Sequence, residues 1–528
     1  MVGARARHRD GASTACRSDP RRVLAAIPSA AVLGIEAFAV TVEVDAAPGL
    51  PGWTMVGLPS GSVREARERV GAALVNAGFT LPPRRWTINL SPADVRKEGT
   101  AFDLPVAIGV LVASGQLDAE CVRDLVFVGE LGLDGTLRPV RGALPVAQAA
   151  RKGAARALVL PMANAAEAAL LRDVRLAPAA TLRALVDALR ERRLPPAPPA
   201  AAPARDPSGA DFAEVVGQVV AKRALEIAAA GRHNVFLVGP PGAGKTMLAR
   251  RLPSILPPLD DDELLDVVAI HSVGGVLIAG VAPSRVPPFR APHHTVSLAG
   301  LIGGGPGPRP GEVSLAHRGV LFLDELLELP RYVLDAMRQP LEDGRVVLAR
   351  AAHAVAFPAG FLLVGAANPC PCGFDGDASG RCRCSAADIL RYRGRMSGPL
   401  ADRIDLHVPV GAVALADLGA MSREEPSTAI RARVLAAREA QRVRYRVLPG
   451  VRCNGDAPGR WLQLHAGLTT EARTLLGTAA ERLKLSARAY HRTLRVARTV
   501  ADLEGEDRVN PGAIADALMF RPVESPAP

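Results

Sequence analysis

The sequence predicts an α/β fold in which a parallel-sheet domain follows a smaller α+β domain. Three observations lead to this prediction. Apolar strands alternate with helical stretches along the chain, for example at 234–238 and 247–252. A glycine-rich segment follows the first of these strands directly, as it does in nucleotide-binding parallel sheets. Residues 194–211 contain six prolines, which is typical of an extended linker between domains.

The composition limits the class of the protein and its partners. Its 528 residues are enough for about two to four domains. The net charge of +11 favours a polyanionic partner such as nucleic acid, although six arginines within residues 1–22 leave a basic tail as an alternative source. No apolar run reaches the roughly 18 residues that span a membrane. Seven cysteines, four of them close together, are typical of a reducing cytoplasm.

The first half of the chain predicts a mixed domain over residues 29–193. Residues 1–28 form a basic extension that we expect to be disordered, or to precede a true translation start near Val23. Alternation of apolar and polar residues predicts a strand at 39–44. Further elements are expected as strands at 86–90, 125–128 and 157–160 and as helices at 62–77 and 104–114.

The second half predicts a nucleotide-binding core over residues 212–410 and a helical region over 411–528. Besides the strand at 234–238, the core shows the patterns of several further elements. They are helices at 211–230 and 332–342, a hairpin that pairs 345–350 with 354–357, and strands at 319–323 and 361–368.

The segment after the strand at 234–238 has the spacing of a phosphate-binding loop, G-x-x-x-x-G-K-[ST]. Its glycines permit a turn in which backbone N–H groups point at phosphate oxygens. Lys245 would add a positive charge at the β- and γ-phosphates, and Thr246 would offer a hydroxyl group to magnesium. The residues predicted to bind the nucleotide are Gly239, Pro240, Pro241, Gly242, Ala243, Gly244, Lys245, Thr246, Met247 and Asp324.

Two carboxylates end the second apolar strand of the core, at 319–323. Asp324 and Glu325 would be costly at the end of a buried strand unless they had partners. At the carboxyl edge of a parallel sheet, Asp324 is predicted to reach the magnesium and Glu325 to polarise the attacking water. Together with the phosphate-binding loop, the pair predicts a nucleoside triphosphatase that uses ATP and magnesium.

The core resembles that of AAA+ ATPases, and the resemblance implies further site residues. Asn368 resembles the first sensor, which orients water near the γ-phosphate; an asparagine that merely ends a strand in a turn is the alternative. Arg403 resembles an arginine finger, which acts on the nucleotide of a neighbouring subunit and so implies a ring. The alternative for Arg403 is a salt bridge within the subunit, to Asp402 or Asp405.

A basic helix at 486–503 is expected in the lid. The AAA+ resemblance implies a second sensor arginine early in such a helix. We predict that it is Arg488, with Arg492 and Arg495 as alternatives. A helix whose arginines are merely solvated also fits the pattern.

Four cysteines form two Cys-x-Cys pairs on one predicted loop. Cys370 and Cys372 are separated by nine residues from Cys382 and Cys384, and four thiolates at short spacings can close a tetrahedral zinc site. Four reduced thiols in a flexible insert are the alternative. We predict a structural zinc that stiffens the segment just after Asn368.

Candidate contacts with DNA lie in two places. The adjacent His293 and His294 fit a phosphate or DNA contact, or a structural role, better than a metal site, because side chains at i and i+1 diverge. Arg345 and Arg350, on the expected hairpin, are better candidates. With no aromatic residue near them, they would contact the DNA backbone rather than stack on bases.

Part of the first domain resembles the proteolytic domain of Lon-type proteases. The residues that carry this resemblance are 129–140, 149–153 and 158–161. Ala101 stands where Lon proteases have their nucleophilic serine, and Leu144 stands near the position of their lysine. Because Ser–Lys chemistry needs both groups, we expect a Lon-like fold without peptidase activity. Docking, assembly or substrate guidance are its expected roles.

Over residues 29–522 the chain resembles the YifB/ComM family of magnesium-chelatase-type AAA+ proteins. Its departures are the N-terminal extension and Leu327, where the family often has proline. The resemblance implies a hexameric, ATP-driven helicase on branched or single-stranded DNA. Such a helicase promotes branch migration during the homologous recombination of natural transformation, with recombination proteins as further partners. The segments that carry the resemblance are 289–295, 300–305, 310–317, 323–326, 368–373 and 397–405.

Three other functions share parts of this pattern. A motor subunit of a magnesium or cobalt chelatase would have the same ATPase core, but the cysteine insert, the Lon-like domain and the lack of an acidic integrin-like segment argue against it. An ATP-dependent protease or its adaptor is disfavoured by the missing serine and lysine. A regulatory ATPase without a motor role stays open.

Overall fold

The structure is a computed structural model. It describes residues 24–58, 60–95, 97, 99–196, 209–305, 307–349, 354–376, 380–412 and 424–521. Most of the linker expected at 194–211 lies outside the described residues, as do Arg350 and residues 1–23.

The N-terminal domain contains two main sheets and six helices among its described residues. A four-stranded sheet has the order β1-β2-β4-β3, and a three-stranded parallel sheet has the order β5-β8-β9. The strands are β1 (Leu24–Leu33), β2 (Glu36–Ala47), β3 (Gly52–Val56), β4 (Arg85–Ser91), β5 (Leu125–Phe127), β6 (Glu130–Leu131), β7 (Leu137–Arg138), β8 (Ala157–Pro161) and β9 (Leu176–Ala179). The helices are α1 (Gly61–Arg64), α2 (Ala66–Asn76), α3 (Asp103–Ala113), α4 (Ala143–Lys152), α5 (Ala165–Ala168) and α6 (Leu182–Arg190).

Two expectations for this domain need correction. The first folded element begins at Leu24, so the boundary expected at 29 is five residues too late. Strand β1 escapes sequence reasoning because alanine and serine occupy much of it, which weakens its apolar alternation; its long antiparallel pairing with β2 defines it instead. The single helix expected at 62–77 is two helices, interrupted at Glu65.

The ATPase domain is built on a five-stranded parallel sheet of order β11-β14-β17-β10-β18. Its strands, with those of two hairpins, are β10 (Val235–Val238), β11 (Phe289–Arg290), β12 (Gly303–Gly304), β13 (Arg309–Pro310), β14 (Val320–Leu323), β15 (Arg345–Ala349), β16 (Ala354–Pro358), β17 (Leu362–Ala367) and β18 (Leu406–Pro409). The helices are α7 (Val219–Gly231), α8 (Lys245–Ile255), α9 (Asp261–Gly274), α10 (Leu298–Ile302), α11 (Glu312–Leu315), α12 (Arg331–Ala336), α13 (Arg338–Asp343), α14 (Ala386–Arg393) and α15 (Gly398–Ala401).

Two helices of this domain differ from expectation. The helix expected at 211–230 begins only at Val219, because Gly217 and Gln218 have φ angles of +65° and +53° and interrupt any helix that would begin earlier. The helix expected at 332–342 is divided at Met337 into α12 and α13. Pro340 explains the division, since it lacks an N–H group and its ring would clash with the carbonyl of residue 336. The hairpin of β15 and β16 is confirmed.

The lid is helical, as expected. A long helix over Ala487–Leu503 lies against α7 of the ATPase domain, and its apolar residues share a core with those of β10 and α8. The lid helices are α16 (Ser427–Tyr445), α17 (Gly459–His465), α18 (Thr470–Arg482), α19 (Ala487–Leu503) and α20 (Pro511–Met519). Among the described residues, no helix has the length and apolar character needed to cross a membrane.

The N-terminal domain packs on the ATPase domain at two places. Helix α4 lies against α9, where Leu144 and Leu264 belong to one apolar cluster and the Gly142 N–H donates to the Ser272 carbonyl at 3.2 Å. The turn between β1 and β2 meets the β15–β16 hairpin, where Ile35 packs with Val355. Leu144, at the position expected for a Lon lysine, is fully buried in this interface.

Candidate active site

The phosphate-binding loop lies at the carboxyl end of β10 and runs into the N-terminus of α8. Gly242 and Gly244 have φ angles of +79° and +87°, in the left-handed region that favours glycine. A Cβ atom on Gly239 would lie 2.1 Å from the Val410 carbonyl oxygen, so this position also requires glycine. The glycines therefore shape a turn that presents the first N–H groups of α8, which is a ready anion site.

Lys245 connects this loop to the neighbouring strand. Its ammonium group donates to the carbonyl oxygens of Gly239 at 2.6 Å and Pro240 at 3.0 Å, and to Oδ1 of Asn368 at 3.2 Å. Burial lowers the pKa of the ammonium, while the nearby Asp324 and Glu325 act in the opposite direction. Lys245 and Asn368, distant in sequence, thus meet at one point.

The hydroxyl of Thr246 donates to Oδ2 of Asp324 at 2.7 Å. Hydroxyl and carboxylate oxygens are hard ligands of the kind that magnesium prefers, and magnesium usually keeps waters and phosphate oxygens for its other positions. The two groups converge from α8 and from the end of β14. Their chemistry and proximity fit a magnesium ion bound with a nucleotide.

Glu325 has a backbone conformation that is unusual for a residue with a side chain. Its φ angle is +51°, which costs on the order of 1 kcal/mol. Its N–H donates to Oδ1 of Asp324 at 3.0 Å, and its carboxylate is half exposed. Oε2 of Glu325 lies 2.9 Å from Nδ1 of His294. The side chain is therefore held at the carboxyl edge of the sheet by the residues around it.

The contact with His294 is one that sequence reasoning missed. The sequence predicts a DNA or phosphate contact, or a structural role, for His294, and the structure places it against Glu325. A signal for this contact exists in the topology. Strand β11 pairs in parallel with β14, so a residue shortly after β11 emerges at the same edge as the residues after β14.

Asn368 directly follows β17, which lies between β14 and β10 in the sheet. Asn368 therefore follows the strand that separates the one before the phosphate-binding loop from the one before Asp324. Four of the predicted site residues, Lys245, Asp324, Glu325 and Asn368, lie at the carboxyl ends of three adjacent strands. This convergence is the main chemical feature of the ATPase domain.

Arg403 lies at the opposite edge of the same sheet. It precedes β18, whose first residue Leu406 pairs with Val235 at the start of β10, and its carbonyl accepts from the Asn234 side chain at 2.8 Å. Strand β10 has four residues and spans about 13 Å. The length of the strand thus separates Arg403 from the phosphate-binding loop of its own chain.

The acidic partner of Arg403 differs from Asp402 and Asp405, the two that the sequence suggests. Its guanidinium pairs with Glu342 and donates to the Pro399 carbonyl at 2.6 Å. Asp402 instead pairs with Arg492 at 3.3 Å, and Asp405 accepts from the Asn234 N–H at 3.1 Å. The intrasubunit salt bridge is therefore real, but it is with Glu342.

The three lid arginines differ in how they are engaged. Arg492 donates to the carbonyls of Ala401, at 3.2 Å, and Ile404, at 2.7 Å, so it holds the segment around Arg403. Arg495 donates to the Ala457 carbonyl at 2.9 Å. Arg488 is exposed, and its side chain has no hydrogen-bond or ion-pair partner in the part of the chain that the structure describes. Of the three, Arg488 is the one whose guanidinium is available to a ligand.

Arg403 and Arg488 line the same groove, which has a volume of about 680 Å³. The groove is also lined by residues that precede strands of the sheet. Asn234 and Phe361 directly precede β10 and β17, and Arg318 lies two residues before β14. None of the residues that line this groove belongs to the phosphate-binding loop. The two predicted arginines thus belong to one surface, distinct from the site of Lys245.

Family models match three consecutive parts of the chain. The model described as magnesium chelatase, subunit ChlI, matches residues 211–418. The model of subunit ChlI of Mg-chelatase matches 42–164, and that of the ChlI C-terminal region matches 424–521. The chain is also 44% identical over 506 residues to the competence protein ComM of Haemophilus influenzae, covering 94% of this chain and 97% of that protein.

The chain belongs to the YifB/ComM family of magnesium-chelatase-like AAA+ ATPases. Another relative is the protein YifB of Salmonella typhimurium, 42% identical over 506 residues, which are 95% of this chain and 97% of YifB. Lon protease 2 of Bacillus subtilis is 28% identical over 181 residues, 30% of this chain and 33% of the protease. The AAA+ core, the helical lid and the Lon-like N-terminal domain agree with the fold predicted from the sequence.

The four cysteines of this YifB/ComM protein come together as expected for a metal site. The Sγ atoms of Cys370, Cys372, Cys382 and Cys384 all lie within 4.8 Å of one another. The separations of Cys370 from Cys372, at 3.3 Å, and from Cys382, at 3.8 Å, compare with about 3.8 Å between ligands in a tetrahedral zinc site. Backbone N–H groups, that of Arg383 foremost, lower the pKa of the Cys372 thiol to about 6. The donor set fits zinc.

The cysteine loop touches the phosphate-binding loop. Gly373 has a φ angle of +86°, and a Cβ atom on it would lie 2.7 Å from Cδ of Pro241. Arg393 also holds the cysteine loop, since it pairs with Asp375 at 2.6 Å. A rigid cysteine cluster would therefore support both the segment after Asn368 and the phosphate-binding loop of this YifB/ComM protein.

One further contact to the phosphate-binding loop was not assigned from the sequence. The side-chain amide of Gln218 donates to the carbonyls of Ala243, at 3.1 Å, and Gly411, at 2.7 Å. Gln218, whose left-handed backbone precedes the late start of α7, thus connects the phosphate-binding loop to the segment after β18. Arg345 begins the β15–β16 hairpin of the YifB/ComM core and is exposed.

Proposed function

We propose that this protein is a ring-forming, ATP-driven motor, a hexamer, that moves along branched or single-stranded DNA and promotes branch migration in homologous recombination. Near-complete alignment with a competence protein at 44% identity supports this function over a chelatase role. Recombination of incoming DNA in natural transformation would provide the substrate in the cytoplasm, with recombination proteins as further partners.

The observation that carries the motor proposal is the division of site residues between two edges of one sheet. Lys245 and Asn368 lie at the carboxyl edge, and Arg403 lies at the other. An arginine about a strand length away cannot reach the nucleotide of its own chain. A head-to-tail ring brings the amino edge of one subunit to the carboxyl edge of the next, and so completes each site.

At the carboxyl edge, each residue has a distinct task. Lys245 contacts the β- and γ-phosphates, while Thr246 and Asp324 hold magnesium, which neutralises developing negative charge on the phosphates. Glu325 accepts a proton from the attacking water, and Asn368 orients that water through its side-chain amide. Gln218 stabilises the phosphate-binding loop by donating a hydrogen bond to the Ala243 carbonyl.

The neighbouring subunit contributes the two arginines of the groove. Arg403 stabilises charge on the transferred phosphoryl group, for which a planar, permanently charged guanidinium is suited. Arg488, whose side chain is available, would contact the phosphates beside it. Arg492 acts indirectly, because it fixes the segment that presents Arg403.

Contact with DNA is proposed for the β15–β16 hairpin. Arg345 is exposed at its base, and the hairpin packs on the N-terminal domain through Val355 and Phe357. Arginine contacts of this kind go to the phosphate backbone, so binding should be insensitive to sequence and sensitive to salt. Movement of the hairpin with nucleotide state would then move the strand.

A purified-protein assay tests this function. A labelled, mobile four-way DNA junction is incubated with ATP and either the wild-type chain or the Glu325→Gln variant. We expect the wild type to convert the junction and the variant to bind it without conversion. ATP hydrolysis without conversion by the wild type would contradict the branch-migration function and favour the chelatase or regulatory alternatives.

A further inference from the structure

The amino ends of three parallel strands in the N-terminal domain gather a group of charged residues. Asp124 directly precedes β5, Arg156 precedes β8 and Arg175 precedes β9. The strands pair in the order β5-β8-β9, and parallel strands begin at the same edge of a sheet. Topology therefore brings two arginines from separate parts of the chain next to each other.

Other arginines complete a groove at this edge. Arg192 and Arg193 follow helix α6, and Arg123 precedes Asp124. The groove has a volume of about 490 Å³ and is lined by five arginines against two carboxylates, those of Glu120 and Asp124. It lies beside Leu194, at the point where the domain ends and the proline-rich linker begins.

Three of these arginines have no side-chain partner among the residues that the structure describes. Arg123 pairs with Glu120 at 2.5 Å, and Arg193 pairs with Glu191 at 2.6 Å. The side chains of Arg156, Arg175 and Arg192 are exposed and make no hydrogen bond or ion pair with any residue that the structure describes. Like charges held close together repel one another, and an anionic ligand would relieve that repulsion.

Some exposed arginines of this domain do pair with a carboxylate. Arg67 pairs with Glu68 at 2.9 Å, and Arg183 pairs with Asp187 at the same distance, although both are exposed. Arg84, Arg85 and Arg151 are also exposed without a side-chain partner among the described residues, but they lie outside the groove. The groove differs because it brings together three such arginines from separate parts of the chain, where three strand starts and the end of α6 meet. The gathering of these guanidinium groups along one groove points to a site for an anion with several charges.

We propose that this groove binds the phosphate backbone of a nucleic acid. The proposal rests on the proposed function, since DNA lies near the N-terminal domain only if the protein is a DNA motor. Guanidinium groups bind phosphate oxygens through paired hydrogen bonds. None of the residues that line the groove is aromatic, so bases have nothing to stack on. Its apolar part is limited to Leu189, Leu194 and Cys121, which leaves little surface for a lipid or an apolar peptide.

The groove would give each subunit a second DNA contact, distinct from the β15–β16 hairpin. Two contacts on one chain bind the same polymer far more tightly than either alone, because the second binding event is intramolecular. A fixed contact in the N-terminal domain would hold one arm of a branched DNA while the ATPase domain moves another. This assigns a task to a Lon-like domain that has alanine and leucine in place of the catalytic serine and lysine.

The test measures the affinity of the full chain for a fluorescein-labelled DNA duplex, and for the matching single strand, as a function of salt. The variant carries Arg156→Gln, Arg175→Gln and Arg192→Gln. The matched control carries Arg67→Gln, Arg183→Gln and Arg442→Gln, which remove the same charge from exposed, paired arginines; Arg442 pairs with Glu439 at 2.7 Å. The thermal unfolding midpoint verifies that both proteins are folded.

We expect the groove variant to bind DNA more weakly and to lose about 2 to 3 units of the slope of log affinity against log salt, roughly one for each phosphate contact removed. The control should keep the wild-type slope. If the wild type binds and converts junctions while the groove variant matches the control, the groove assignment is wrong and the motor function stands. If the wild type binds neither the duplex nor the single strand, the groove assignment and the proposed function are both wrong.

Discussion

At the scale of single residues, the ATPase site is a set of contacts between side chains that lie far apart in the sequence. Lys245 reaches Asn368, Thr246 reaches Asp324, and Glu325 reaches His294. The parallel sheet produces these meetings, since the residues follow adjacent strands. Each contact suggests a substitution with its own kinetic signature.

The first prediction separates binding from chemistry at Lys245 and Glu325. Lys245→Ala should abolish binding of a fluorescent ATP analogue, because the ammonium is the main positive charge at the phosphates. Glu325→Gln should bind it normally and hydrolyse ATP at least about 100-fold more slowly, since an amide cannot accept the proton. Hydrolysis at the wild-type rate by Glu325→Gln would show that another group is the base.

The second prediction concerns His294, which acts through Glu325. His294→Ala removes a partner 2.9 Å from Oε2 of Glu325, so the carboxylate loses part of its orientation. We expect kcat for ATP hydrolysis to fall about tenfold, with KM nearly unchanged. His294→Gln, which keeps a donor, should recover part of the loss. The adjacent His293→Ala is the control, because among the described residues the His293 side chain hydrogen-bonds only with Thr295 and makes no hydrogen bond or ion pair with Glu325, although its ring is tilted by 33° against that of His294.

At the scale of elements, loops and helix ends decide more than the strands do. The strands after which the site residues lie were predictable from short apolar runs, and so was the glycine-rich loop. Three features were not predictable. They are the late start of α7 after Gln218, the division between α12 and α13 at Met337, and the strand at 24–33. Backbone conformations such as the positive φ of Gln218 depend on contacts across the fold. Strand β1 is recognisable as a strand only from its pairing with β2.

The third prediction concerns the cysteine loop. We expect about one zinc per chain in purified wild-type protein, because the four Sγ atoms fit a tetrahedral site. Cys372→Ser with Cys384→Ser should lose the metal and lower the unfolding midpoint by several degrees. ATP hydrolysis should also fall, since Gly373 packs on Pro241. Cys121→Ala, which lies in the N-terminal domain, should keep its zinc. Metal-free wild-type protein of full stability would exclude the site.

The fourth prediction concerns the interface of α4 with α9. Leu144 is fully buried there, so Leu144→Ala should destabilise the protein by about 2 to 5 kcal/mol, measured by denaturant unfolding. A lysine at this position, paired with Ala101→Ser, should not create peptidase activity, because the ammonium would lie in an apolar cluster. Cleavage of a casein substrate by that double variant would contradict the account of the Lon-like domain.

At the scale of the whole molecule, the residues that we assign to one ATPase site lie at two opposite edges of the same sheet. The sequence motifs predicted nearly all the residues of the proposed site, but they did not predict the edge of the sheet at which each residue lies. The acidic partner of Arg403, Glu342, and the availability of Arg488 came only from the tertiary structure. Side-chain partners between distant helices leave no local pattern in a single sequence.

Mixing two inactive variants tests the division of the site most directly. Lys245→Ala has an intact Arg403, and Arg403→Ala has an intact phosphate-binding loop. In randomly mixed rings, about one interface in four joins the intact halves. We predict that ATP hydrolysis, absent in each variant alone, returns in the mixture to about a quarter of the wild-type rate. Mixed rings, verified by energy transfer between labelled subunits, that stay inactive would contradict a site shared between neighbours.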